Sequence, residues 1–272
     1  MDTSIFSTLV AEYEGWLSLI MAVCVMGIPM LLSQVLSRFG GFKEIADLNQ
    51  TVVDQKSKRT YWTENQTWNK KWGSFFIAII YLCIVPFVIT TDSQAWWQYF
   101  VDIFVILMVY DFFYYMTHRF LFHNGGPLVW VHAVHHQQKN PCRQDSSYIH
   151  PLEVAMGLGL YVGTVFGLSF IMGDFHIITL ILTWIAFSEI NLHNHDRQDS
   201  DRFPFKYLKY ASDMHHVHHS RFTSGNFATI SLLYDWMFGT LDTGNGWGKN
   251  KRPSPASTSA TNSTAGQANT TA

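Results

Sequence analysis

Apolar side chains along this 272-residue chain gather into blocks separated by polar stretches. Residues 16–37 carry no charged group, and similar runs fill 72–90, 96–116, 152–172 and 175–192. As a helix rising about 1.5 Å per residue, the first run would be roughly 33 Å long, enough to cross the hydrocarbon core of a bilayer. A buried-core helix explains any one such run, but five in one chain predict membrane-spanning helices. Only Gly173 and Asp174 part the last two runs, which predicts a tight hairpin whose ends return to one face.

The polar stretches then set the topology. All eighteen Lys and Arg fall within 38–71, 119–143 and 197–252. The positive-inside rule makes these stretches cytosolic and puts the N-terminus, with Asp2, Glu12 and Glu14, outside. Every histidine except His176 then lies on the cytosolic side or at its boundary. The expected fold class is all-α: a multi-pass integral-membrane helical bundle with a cytosolic histidine-rich di-metal helical cap. Residues 1–99 would hold two spanning helices joined by a basic cytosolic connector, 100–248 a catalytic domain, and 249–272 a disordered Ser/Thr/Ala/Asn tail. Within the connector, Trp68 and Trp72 beside Lys70 and Lys71 fit an interfacial aromatic belt. The sequons at Asn49 and Asn65 lie there too and are predicted to stay unmodified.

Composition agrees with the bilayer and narrows the partners. With 48% hydrophobic and 14% charged residues the chain is lean in charge for a soluble domain. A net charge of −2 argues against a nucleic-acid partner. Cys24 and Cys83 sit in apolar blocks and Cys142 faces a reducing compartment, so all three read as packing residues.

Candidate chemistry lies in the thirteen histidines. His132, His135 and His136 are spaced i, i+3, i+4, and His215, His218 and His219 repeat that spacing, which on a helix projects three imidazoles from one stripe. Two such boxes are a strong sign of metal ligation. His118 and His123, five apart, would lie about 140° apart on a regular helix and converge only if it ends or widens near Phe122. His193 and His195 form a looser pair that would point one way in an extended segment. His150 starts the hairpin, and structural roles are expected for His216 and His176. The predicted ligands are therefore His118, His123, His132, His135, His136, His193, His195, His215, His218 and His219, more than one ion needs. Two divalent ions call for nearby carboxylates, and Asp111, Glu153, Glu189, Asp213 and Asp235 are the candidates. Asp111 lies in the third apolar run, where an ionisable group is costly. It precedes His118 by seven residues, nearly the same helical angle, which predicts a carboxylate that orients the His118 ring.

These residues resemble the fatty acid hydroxylase superfamily, with its sterol desaturases and sterol methyl oxidases. The resemblance spans roughly 100–241. It rests on Asp111 before His118-Arg119, on HAVHH, on His150-Pro151-Leu152-Glu153, on HNH at 193–195, and on MHHVHHSRFTSGNF followed by YDWMFGT. HRFLFH looks like the fatty acid 2-hydroxylase branch, HPLE and the final motif like the sterol branch; Tyr234-Asp235 stands where a Trp-Asp pair is expected. The resemblance implies a non-haem di-iron oxygenase of the endoplasmic reticulum membrane. It would hydroxylate or desaturate a lipid with O₂ and electrons from a separate cytochrome b type carrier or its reductase. Two alternatives stay open: a zinc-dependent membrane hydrolase, weakened by the lack of an HExxH box, and a non-enzymatic lipid-binding relative.

Overall fold

A computed structural model describes residues 12–251; most of the N-terminal lead and nearly all of the predicted tail lie outside the described residues. The helices are α1 (Gly15–Leu36), α2 (Gly40–Lys56), α3 (Thr60–Cys83), α4 (Trp96–Thr117), α5 (Val129–His132), α6 (Pro151–Met172), α7 (Ile177–Asn194), α8 (Phe205–Ser220) and α9 (Leu233–Met237). Five segments are long and apolar enough to span a bilayer: α1, α3 through Phe87, α4 through Phe122, α6 and α7. A helix satisfies its own backbone groups, which hydrocarbon cannot do. Trp16, Val23, Met26, Met30 and Leu31 of α1 stay exposed, a surface suited to lipid.

The five helices alternate in direction and share their ends. A short parallel pair of strands, β1 (Ile89–Thr90) and β2 (Phe175–His176), ties the α3–α4 turn to the α6–α7 turn. Glu14 N–H donates to Pro86 O at 2.9 Å, bringing the start of α1 to the same end. All the described histidines but His176 therefore gather toward the opposite end. The core runs through every long helix, with Met21 and Val25 of α1, Tyr81 of α3, Tyr110 of α4, Tyr161 of α6 and Trp184 of α7. Trp184 packs edge-on against Tyr81 at 5.5 Å and Tyr161 at 5.3 Å. The regions before and after residue 100 thus make one bundle.

The second span differs from the sequence expectation. The connector 38–71 folds as α2 and the first half of α3, so α3 starts at Thr60 rather than near Trp72. Its polar residues have long-range partners. The Trp62 indole donates to Asp145 Oδ1 at 2.8 Å, and Asn69 Nδ2 donates to Ile149 O at 2.6 Å. Lys56 pairs with Asp145, which is fully buried. Together they hold the 138–149 loop beneath the histidine-rich end.

Two histidines serve as helix caps. His150 accepts the Leu152 N–H at 3.1 Å, with Pro151 at the first position of α6; His176 accepts the Ile178 N–H at 3.1 Å before α7.

Candidate metal centre

The site begins where α4 ends. His118–Phe122 forms a π turn, and His123 N–H bonds back to His118 O at 3.1 Å. This wider turn supplies the convergence that a regular helix denies to an i, i+5 pair, and the two rings lie 5.0 Å apart. Asn124 and Gly125 at φ +52° and +77° then stop the helix.

Nine buried or half-buried imidazoles form two adjacent groups. One contains His118, His123, His132, His136 and His218; the other contains His135, His195, His215 and His219. Within each, the ligand-capable atoms lie within 4.8 Å of one another. His136 and His219 stack between the groups at 4.9 Å. Each HxxHH box therefore feeds both groups. The first box is broken: α5 ends at His132 and a 3-10 turn begins at His135. The second box lies on regular helix α8, sending His218 to one group and His215 and His219 to the other.

The second nitrogens of these rings explain their orientation. Nδ1 of His118 donates to Phe227 O at 2.7 Å, His123 to Phe222 O at 2.9 Å and His218 to Gly225 O at 2.7 Å. His135 donates to Tyr148 O at 3.1 Å, His195 to Asn191 O at 2.8 Å and His132 to Glu153 Oε1 at 2.7 Å. A carbonyl only accepts, so each ring on a carbonyl must carry its proton on Nδ1. In the neutral state its Nε2 then bears only a lone pair. Yet Nε2 of His135 faces that of His195 at 3.1 Å. Facing lone pairs repel, and a cation between or beside them removes the conflict. His123 Nε2 is buried without a partner, which points the same way. Burial, followed by the neighbouring imidazoles, holds His132, His136, His195, His215, His218 and His219 well below the ordinary 6.5. Burial, outweighing their carbonyl bonds, brings His123 and His135 to about 4, and the nearby His135 ring adds to the shift of His123. The rings are neutral at physiological pH, the form that binds metal. Nine neutral imidazoles fit two borderline transition ions.

Other predicted roles need correction. Asp111 does not touch His118: its carboxylate accepts N–H groups of Thr229, Ile230 and Ser231 at 2.8–3.1 Å and the Ser231 hydroxyl at 2.9 Å. The heptad offset was real, but the irregular segment 227–231 offers its backbone N–H groups to the carboxylate instead. Asp235 holds the same segment through the N–H groups of Phe227 and Ala228, both at 2.8 Å. Phe227 O in turn receives His118, so both carboxylates act on the ring through this segment. Glu189 pairs with Arg143 at 2.5 Å, and Asp213 is exposed. Of the five carboxylates, only Glu153 bonds one of the nine rings. His193 lies outside both groups and donates from Nδ1 to Asp196 Oδ2 at 2.5 Å. It sits on α7 rather than in an extended segment, so the i, i+2 offset turns it away from His195. His216 reaches only the His195 carbonyl. The carbonyls of Tyr148, Asn191, Phe222, Gly225 and Phe227 left no mark in the sequence, because every residue has one.

A largely apolar cavity of about 300 Å³ opens onto the rings of His118, His132, His135, His195 and His215. Its walls include Tyr110 and Tyr114 of α4, Met156 and Leu158 of α6, and Phe187 of α7. The fatty acid hydroxylase family profile matches residues 103–240, about half of the chain. The chain belongs to the fatty acid hydroxylase family. That match contains all nine gathered histidines and their carbonyl partners. A methylsterol monooxygenase of Danio rerio is 25% identical over 195 residues, 64% of each chain. One of Rattus norvegicus is 31% identical over 137 residues, 49% of this chain and 44% of that protein. A very-long-chain aldehyde decarbonylase of Oryza sativa is 32% identical over 135 residues, 48% of each. The chain thus spans between 44% and 64% of the length of these family relatives. No solved structure matches it.

Proposed function

We propose that this family member is a membrane di-iron oxygenase that hydroxylates an unactivated C–H bond of a lipid. One observation carries the reading: two adjacent groups of neutral imidazoles, six of the nine rings held by Nδ1 bonds, border an apolar cavity in a membrane bundle. The five-histidine and four-histidine groups would each hold one iron. Bound iron supplies the O₂ and one-electron chemistry that protein side chains lack.

The chain's own residues do the rest. The backbone carbonyls fix ring direction and tautomer before any ion arrives. With ions bound, an ionised Glu153 would accept from His132 and offset positive charge at a centre built from neutral donors. Tyr110, Tyr114, Met156, Leu158 and Phe187 would take the apolar body of the lipid and keep water away. Hydroxylation is preferred over desaturation because several relatives are named monooxygenases. A sterol or a fatty acyl or sphingoid chain is the substrate class. The positive-inside pattern supports a cytosolic centre, and the family resemblance supports the endoplasmic reticulum membrane. Electrons would come from a separate cytochrome b type carrier or its reductase.

The test is metal analysis of detergent-purified protein, paired with O₂ uptake in the presence of reductant and lipid extract. About two irons per chain and reductant-dependent uptake are expected. Zinc-only protein that stays inert after iron reconstitution would return the reading to a hydrolase or a lipid-binding relative.

A further inference from the structure

Residues 222–248 contain no Lys, Arg or Glu, and their two acids, Asp235 and Asp242, are fully buried. This stretch lies within 197–252, which the charge pattern places beside the bilayer rather than in it, yet its path runs down the side of a spanning helix. His118, just past the end of α4, donates to Phe227 O, whereas Asp111, within α4, accepts the N–H groups of Thr229, Ile230 and Ser231. The chain from 227 to 231 therefore descends along α4 by roughly 10 Å, the rise of two helical turns. Helix α9 then climbs back. Tyr234 stands edge-on to Phe112 at 5.5 Å and donates its hydroxyl to Met108 O at 2.9 Å. Phe238 stacks on Tyr115 at 5.2 Å, and Thr240 Oγ1 meets the Tyr115 hydroxyl at 3.1 Å.

That level lies within the bilayer. Trp96 and Trp97, exposed at the start of α4, mark one interface. A hydrocarbon core of about 30 Å takes about twenty residues of helix, which carries it to near Met116. Phe113 of α4 is exposed at this depth, and Leu233, Trp236, Met237 and Phe238 are exposed on and just after α9, Trp236 over 70% of its surface. Non-helical backbone survives at membrane depth only where protein satisfies its polar groups. Here every N–H from Phe227 to Ser231 is taken, the first two by Asp235 at 2.8 Å and the next three by Asp111. Thr229 O receives Asn194 Nδ2 at 2.7 Å. A carboxylate in a spanning helix is costly, and this service to the backbone gives Asp111 its reason to be there.

We propose that residues 227–240 form a re-entrant loop seated in the leaflet on the histidine side, with lipid acyl chains covering the outward face of α9. Continuity names the occupant: α9 packs against α4, a helix that spans the bilayer, and its exposed apolar side chains lie level with the exposed Phe113 of that helix. The seat does not depend on the proposed activity. It does bear on the metal centre, because Gly225 O and Phe227 O, at the top of the descending limb, hold His218 and His118. Two ring orientations are thus braced against the bilayer.

The test uses the full chain, one copy per phosphatidylcholine nanodisc, with a phosphatidylcholine that carries a diazirine on its acyl chain; labelled peptides are mapped by mass spectrometry. Labelling of 232–238 is expected at about fivefold or more above that of the exposed polar turn 137–140, and comparable with that of α1. Trp236→Phe, a mild change at an exposed position, isolates one indole. It should remove emission that brominated acyl chains quench and leave the iodide-quenched emission unchanged. Acyl labelling confined to the five spans, or a Trp236 emission quenched by iodide, would put the loop in water and overturn the seat. A loop unlabelled in single-copy discs but shielded from iodide in discs holding two copies would overturn it too, in favour of a contact between chains. If Trp236→Phe fails to fold, the labelling pattern of the unaltered protein decides.

Discussion

Six of the nine imidazoles are tied at Nδ1 to a carbonyl or carboxylate, which leaves Nε2 free to face the proposed ion position. His135→Ala removes one of four donors in its group. Metal content should fall from about two ions per chain to about one, and turnover at least a hundredfold, with the protein still in the membrane. Normal metal content in purified His135→Ala would remove it from the ligand set. Asp111→Asn presents an amide N–H₂ to a nest of N–H donors. It should cost about 2 kcal/mol or more and weaken ion binding at the His118 group about tenfold or more. Chelator competition reads the second effect, and an unchanged ion affinity would leave Asp111 a packing role. The rings also titrate abnormally. His123 and His135 have values near 4 in the fold against an ordinary 6.5. Above pH 6.5 both folded and unfolded chains leave them neutral. As pH falls from 6.5 toward 4, only the unfolded chain takes up protons, so metal-free protein loses stability across that window. Thermal unfolding of metal-free protein should shift down by several degrees between pH 7.5 and pH 5.

At the scale of elements, departures from regular helix do the positioning. The widened turn at 118–122 brings in His123, the break after α5 splits the first histidine box, and the loop at 222–229 supplies three of the six ring acceptors. Gly225 is where that loop crosses the chain after α9. A Cβ there would meet Thr240 O at 1.9 Å, and its own carbonyl holds His218. Asn226 pins the crossing through Met214 O and Asp242 O. Gly225→Ala should therefore displace His218. A metal-free protein with near-normal helix content by circular dichroism is the expected result, and full loading would show that the loop yields more easily than its packing implies. The final motif thus acts as a scaffold: Asp235 of YDWMFGT binds the loop backbone rather than an ion.

For the whole molecule, the bilayer sets the frame and the polar end carries the chemistry. Asn49 is buried, its side chain bonded to the backbone of Arg143 and Arg197, so a glycan there is incompatible with the fold. With Asn65 on the same end, neither sequon should shift on glycosidase treatment of protein made in mammalian membranes, whereas a glycan on Asn65 would invert the proposed orientation. The five spans, the pooling of histidines at one end and the imidazole donor set were legible in the sequence. Each follows from local properties: run length, charge placement and residue type. Which ring joins which group, that His193 turns away, and that Asp111 grips residues 229–231 were decided only by tertiary structure. Asp111 and Ile230 are 119 positions apart, and no local periodicity carries a bond made to a backbone group that every residue shares.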